Sequence, residues 1–250
     1  MDPDLQGTNY FPSGSHEVDP DAHYSPSGSH AVDPDVQGTN SALYLRIVPT
    51  HRDQGAAGGI YFCTATCWDW LPLIEHVKLY DHLYSWMYKA TAKGVRILGY
   101  VLMPNHLHLL LHVPEGLSIN TLLANMKRFS AYEVIERLQA KGDTELQHRL
   151  ASSVPQGGLK RDQKHCVWRT SSDIKPCESE RFILQKLDYM RANPVAGIWA
   201  LVERTMDYLH SSAHFYHTGK DRHAPIIHYH EVLFGDGRAS GFTTGVPEGK

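Results

Sequence analysis

Two histidines separated by a single residue, His106 and His108, stand in an apolar run with Leu107, Leu109, Leu110 and Leu111, directly after Pro104-Asn105. Proline cannot donate to a ladder and holds the residue before it extended, so Pro104-Asn105 reads as a break between two strands. Side chains alternate across a strand, which puts His106 and His108 on one face and Leu107 and Leu109 on the other. Imidazoles about 7 Å apart along a strand can converge on one cation. The apolar flanks predict a central strand, where a buried imidazole needs a partner.

A second set of reactive types lies downstream. Ile119, Leu122, Leu123, Met126, Val134, Ile135 and Leu138 form the apolar stripe of a long helix opening at Leu117-Ser118. Arg128, Tyr132 and Glu136, spaced at four, share a different face of it. A helix packed across the sheet is expected to bring that face over the histidines. His106, His108 and Glu136 would then hold a divalent cation with open positions, and Tyr132 would stand beside it. A phenol with its ordinary pKa of about 10 is a weak nucleophile, and neighbouring cations favour the phenolate. A divalent ion would also polarise a phosphodiester oxygen and orient it for in-line attack.

The elements that must position these groups follow from patterning. Gly58 to Thr66 is β-branched and aromatic, a first strand. From Trp70 to Lys93 apolar residues recur at three and four, a helix ending at Gly94. Val95–Leu102 and His106–Val113 are the second and third strands, and the long helix follows. A polar excursion, Ala140 to Gln163, precedes a candidate fourth strand at His165–Thr170. Glu180–Ala192 is helical and stops at Asn193-Pro194. The order β-α-β-β-α-β predicts an α+β fold, a ferredoxin-like antiparallel sheet with helices on one face, plus a C-terminal helical extension.

Composition narrows the classes. No apolar run approaches the roughly 20 residues of a membrane span, and the first residues lack a charged-then-apolar leader, so a cytoplasmic protein with no membrane partner is expected. Cys63, Cys67, Cys166 and Cys177 form no Cys-x-x-Cys pair and read as buried thiols. Residues 1–40 repeat a Pro-Ser-Gly-Ser-His unit at Pro12 and Pro26 and carry seven acidic and no basic residues. Such a polar repeat cannot bury a core and is expected to be a disordered acidic tail. The overall charge of −3 therefore hides a formal +4 on the remaining 210 residues, mild but compatible with nucleic acid.

Met103-Pro104-Asn105-His106-Leu107-His108-Leu109-Leu110 resembles the His-hydrophobe-His signature of single-tyrosine HUH transposases, the insertion-sequence-200-like group. Met126-Lys127-Arg128-Phe129-Ser130-Ala131-Tyr132 resembles their nucleophile helix. Tyr189-Met190-Arg191-Ala192-Asn193-Pro194-Val195 and the stretch from Asp207 to Tyr216 resemble C-terminal motifs of the REP-associated branch. The resemblance covers about Gly59 to Tyr216, so an HUH domain is expected over residues 41–216, and the polar, Gly-rich composition beyond it is expected to be a C-terminal tail, 217–250. The resemblance implies a transposase that nicks single-stranded DNA beside a hairpin through a 5′-phosphotyrosine and later rejoins it. It also implies Mg²⁺ or Mn²⁺ as cofactor, held by His106, His108 and a polar side chain one turn after the nucleophile, where Glu136 stands.

Basic and aromatic residues placed to meet the DNA are Lys127, Arg128, Lys164, Trp168 and Arg169, and a homodimer is compatible with the pattern. A nucleotide hydrolase with histidines at i, i+2 and i+4 is excluded because Leu110 holds the last position. A two-histidine-one-carboxylate iron oxygenase would need more strands than this chain supplies. The alternative from another class is a domesticated, non-mobile hairpin-binding protein descended from a transposase.

Overall fold

A computed structural model describes residues 58–154, 163–197, 199–220 and 222–235; the acidic repeat at 1–40 and the end of the predicted C-terminal tail lie outside them. Four strands, β1 (Gly59–Thr66), β2 (Arg96–Leu102), β3 (His106–Val113) and β4 (Asp173–Pro176), form one antiparallel sheet in the order β2-β3-β1-β4. That is the α+β arrangement expected, with β3 central as its apolar run requires. The fourth strand falls later than His165–Thr170, which is joined to the residue after β1 by an isolated Cys67–Trp168 bridge.

The predicted first helix is broken in two, α1 (Leu73–His76) and α2 (Tyr80–Thr91), because Lys78 turns into the left-handed region at φ 52°. The long helix α3 (Ile119–Lys141) starts where Ser118 accepts a hydrogen bond from the Thr121 amide. It ends at Gly142, whose φ of 70° suits a residue without Cβ. A short helix, α4 (Thr144–Ser152), occupies the polar excursion, capped by the Asp143 carboxylate on the Leu146 amide. Ser179 likewise caps α5 (Glu180–Ala192), which stops at Asn193-Pro194 as predicted.

Each face of the sheet carries its own core. Tyr61, Cys63, Ala65, Leu107, Leu109 and Leu111 pack with Leu83 and Met87 of α2 and Leu123, Met126, Val134 and Leu138 of α3. Ile60, Phe62, Leu98, Val101 and Leu110 pack instead with Ile183, Leu187 and Met190 of α5. The two crossover helices thus share one face, as expected, and the C-terminal extension covers the other. Gly99, at a register shift in β2, makes that second layer tight. A Cβ there would lie 2.8 Å from both Leu187 Cδ2 and Met190 Cε, so its absence lets α5 close on the sheet.

The last described segment is not structureless. Tyr208–Ser212 runs along β2, with Leu102 N donating to His210 O and Ser212 N to Tyr100 O. Two more helices follow, α6 (Ala213–Thr218) and α7 (Tyr229–Phe234). No helix among the described residues is long and apolar enough to cross a membrane.

Candidate active site

Alternation along β3 sends His106 and His108 to the face that α5 covers, and both are buried. Their rings lie 4.9 Å apart. From β1, Phe62 stacks on His108 at 5.3 Å. From α5, the half-buried Tyr189 meets the same imidazole edge-on at 5.1 Å. Lys186, one turn earlier, places its ammonium 4.7 Å from the Phe62 ring and 5.5 Å from that of Tyr189.

Hydrogen bonds fix how the donor atoms point. Asn105 Nδ2 donates to Trp70 O at 3.2 Å, which turns Asn105 Oδ1 toward His106 Nδ1 at 2.7 Å. An amide oxygen only accepts, so Nδ1 carries the proton and Nε2 of neutral His106 keeps its lone pair. Thr64 Oγ1, across the β1–β3 ladder, lies 2.9 Å from His108 Nδ1, and its hydroxyl can accept from that nitrogen in the same way. His108 Nε2 is buried and without a hydrogen bond. Asn193 Nδ2 donates to Tyr189 O at 2.8 Å, which leaves Asn193 Oδ1 facing His106 Nε2 at 3.4 Å.

The electrostatics agree. Burial holds His106 down to about 4, against a slight upward pull from Asn193. Burial holds His108 well below the ordinary histidine range, helped by its neighbours His106 and Lys186. Both imidazoles are therefore neutral at pH 7. With Thr64 accepting from His108 Nδ1, both Nε2 atoms of the neighbouring imidazoles present lone pairs, and Asn193 Oδ1 opposes that of His106 while its own amide donor is engaged elsewhere. A divalent cation held by two imidazoles and an amide oxygen would resolve that opposition, each imidazole being oriented through its other nitrogen. Among the described residues no group of three His, Cys, Asp or Glu side chains could hold a metal ion, and the polar side chain that reaches His106 Nε2 is the Asn193 amide.

The helix expected to complete this site does not reach it. α3 buries Leu123, Met126 and Val134 on the Leu107/Leu109 side of the sheet, the opposite face from the histidines. Tyr132 points outward from that layer and is 66% exposed, and Glu136 is exposed as well. Within one chain, neither joins His106 and His108, and the assignment of Tyr132 and Glu136 is corrected accordingly. The residues that do join them, Tyr189 and Asn193, belong to the stretch that resembled a family motif. Their spacing of four on one helix is the sequence signal that marks them as a pair.

The predicted DNA contacts divide. Trp168 is core: it is buried and donates from Nε1 to Ser130 Oγ at 3.0 Å. Lys127 is engaged with the Arg169, Thr170 and Ser171 carbonyls and Ser172 Oγ, tying that loop to α3. Arg128 is exposed over the Phe129 ring, 4.6 Å from its centre, on the far layer, and Lys164 is exposed. Only Arg169 lies near the site, its guanidinium 5.6 Å from the Trp70 ring, which in turn meets the His106 ring at 6.2 Å.

Residues 76–150 match the family model described as transposase IS200 like, a span that holds β2, β3, the histidine pair and α3 but not α5. No curated protein matches the chain. Among solved structures, similarity extends to a REP-associated tyrosine transposase bound to a REP hairpin, at 20% identity and a TM-score of 0.46, over 66% of this chain and 83% of that one. A Deinococcus radiodurans R1 protein described as a candidate transposase is similar at 16% identity and a TM-score of 0.32, over 62% of this chain and 95% of that one.

Proposed function

We propose that this chain cuts and rejoins single-stranded DNA beside a hairpin, with Tyr189 as nucleophile, a reading supported by the match of residues 76–150 to the IS200-like transposase model. The observation that carries this reading is the convergence of His106 Nε2, His108 Nε2 and Asn193 Oδ1 beside the Tyr189 ring. Those three atoms fit a divalent ion, Mg²⁺ or Mn²⁺, which when bound would polarise a non-bridging oxygen of the scissile phosphate.

The rest falls to the chain's own residues. The Tyr189 phenol oxygen attacks phosphorus, and its proton passes to solvent. A phosphorus–oxygen bond to tyrosine forms as the bond to the 3′-oxygen breaks. That oxygen leaves with the bonding pair and takes a proton from water, so one strand ends in a 3′-hydroxyl and the other is joined to Tyr189 through its 5′-phosphate. Attack by a 3′-hydroxyl on that phosphotyrosine reverses the step and rejoins DNA. Asn193 restrains the tyrosine's own backbone carbonyl, so nucleophile and cation site are coupled through one helical turn.

The test is a covalent trap. Full-length protein incubated with a labelled single-stranded hairpin and Mn²⁺ should yield a protein–DNA adduct stable on a denaturing gel, absent in EDTA and absent in Tyr189→Phe. Peptide mapping of the adduct to Tyr132 would overturn the assignment and require a tyrosine supplied by a second copy. Hairpin binding without any adduct would favour the binding-only alternative.

A further inference from the structure

Of the five tryptophans, four serve the cores: Trp168 is buried, Trp68 and Trp86 pack on the α2–α3 side of the sheet, and Trp199 packs on the α5 side. Trp70 belongs to neither core among the described residues, and it is only partly buried. The chain nonetheless holds it in a costly conformation. Asp69 and Trp70 follow one another in the left-handed region, at φ 51° and 55°, which a bulky L residue rarely adopts. Such outliers persist only where the surroundings over-determine them, and they gather at functional sites.

Here the turn is stitched to its neighbours on several sides. Cys67 N donates to Asn105 O at 2.8 Å and Trp68 N to Val167 O at 2.9 Å, while Trp70 O accepts from Asn105 Nδ2 at 3.2 Å. The Arg149 guanidinium pairs with Asp69 at 2.5 Å. A carbonyl that positions Asn105 could come from any residue type, so that hydrogen bond does not call for an indole. The indole stands at the candidate cation site. Its centre is 6.2 Å from that of the His106 ring with the planes 75° apart, so the imidazole does not stack on it. The exposed Arg169 places its guanidinium 5.6 Å from the same indole. An aromatic ring with an arginine beside it matches the way unpaired bases are held, the ring stacking the base and the cation following the backbone.

We propose that Trp70 is a stacking platform for an unpaired base of a single strand, next to the phosphate engaged at His106, with Arg169 against the strand's backbone. The proposal rests on the proposed cleavage for the position of the strand, and the binding can be read without any cleavage. Every base has a flat face, so the platform adds affinity without reading sequence. The Trp70 carbonyl holds Asn105, and Asn105 faces His106 Nδ1, so one turn positions both the platform and the imidazole.

Fluorescence anisotropy in EDTA compares the full chain's affinity for a short labelled oligothymidylate, which forms no hairpin, with that for an abasic strand of equal length and charge. Trp70→Leu should weaken oligothymidylate binding by roughly fivefold to a hundredfold, the range for one base stacked on an aromatic ring, and leave abasic binding unchanged. Trp70→Phe, which keeps a ring, should retain most of the affinity. Oligothymidylate should also quench the tryptophan emission of wild type, and Trp70→Phe should lose that quenching. No loss in Trp70→Leu, an equal loss on both strands, or undiminished quenching in Trp70→Phe overturns the platform. A Trp70-dependent preference for bases with no Tyr189 adduct would sink the cleavage reading and leave the platform standing. An adduct formed by a protein that binds both strands equally would do the reverse.

Discussion

At the scale of single residues, the chemistry depends on which acceptor is left over after every donor is placed. Asn105 uses the Nδ1 side of His106 and the Tyr189 carbonyl uses the Asn193 amide nitrogen, and with the Thr64 hydroxyl accepting from His108 Nδ1 the remaining atoms are all acceptors. If Asn193 is the third ligand, Asn193→Ala should weaken Mn²⁺ binding by about 10- to 100-fold, and Asn193→Asp should tighten it by adding charge. Glu136→Gln, on the far layer, should leave Mn²⁺ affinity unchanged. Calorimetric titration of the three variants checks this, and a loss confined to Glu136→Gln would restore the original assignment. The histidine pair and its shared face were legible because period-2 alternation follows directly from the residue types. The third ligand was not, because an asparagine at a helix end looks like an ordinary stop signal until the fold folds it back on the strand.

Between elements, the decisive fact is which layer each helix joins. The sequence already placed Leu107 and Leu109 opposite the histidines, and the apolar stripe of α3 needed an apolar face to cover. Leu123 and Met126 therefore had to settle on the leucine side, which carries Tyr132 away from the imidazoles. What the sequence could not supply was the partner of the other face, because α5 closes on β2 only where Gly99 leaves room. Strand limits at β3 and helix limits at α5 match their predicted residues, since caps and prolines act locally. The split of α1 from α2 and the late position of β4 depend on tertiary contacts and were missed.

The Tyr208–Ser212 segment joins these layers through His210. Its ring stacks on Tyr80 of α2 at 3.5 Å, its Nδ1 lies 2.8 Å from the Tyr84 hydroxyl, and Glu75, Lys78 and His223 act on it electrostatically. Burial, with help from His223, holds its pKa down to about 4. The unfolded chain takes up that proton first, near the ordinary value of about 6.5, so stability falls as pH drops from there toward 4 and then levels. Because the ring is partly exposed, the loss assigned to it is discounted to roughly 1–2 kcal/mol. Urea unfolding at pH 7 and pH 4 should show a smaller acid loss in His210→Phe than in wild type. An equal loss in both would remove His210 from the account.

Across the whole molecule, charge is divided unevenly along the chain. Residues 1–40 hold seven acids and no bases, while the other 210 residues carry a formal +4. In the proposed reaction the substrate is a polyanion, which the seven acids of the segment would oppose electrostatically while the basic residues of the chain attract it. Opposition of this kind is screened over a Debye length of about 10 Å at 0.1 M salt and about 3 Å at 1 M. Deleting residues 1–40 should therefore tighten single-strand binding by roughly threefold at low salt and leave it unchanged at high salt, where counterion effects fade. The melting temperature and the yield of Tyr189 adduct should stay as in the full chain, because a polar Pro/Gly/Ser repeat supplies no core. Anisotropy titrations across a salt series, run beside a thermal melt, decide the matter. A fall in melting temperature of several degrees would make the segment part of the fold, and an affinity change that persists undiminished at high salt would mean direct contact with DNA in place of electrostatic opposition.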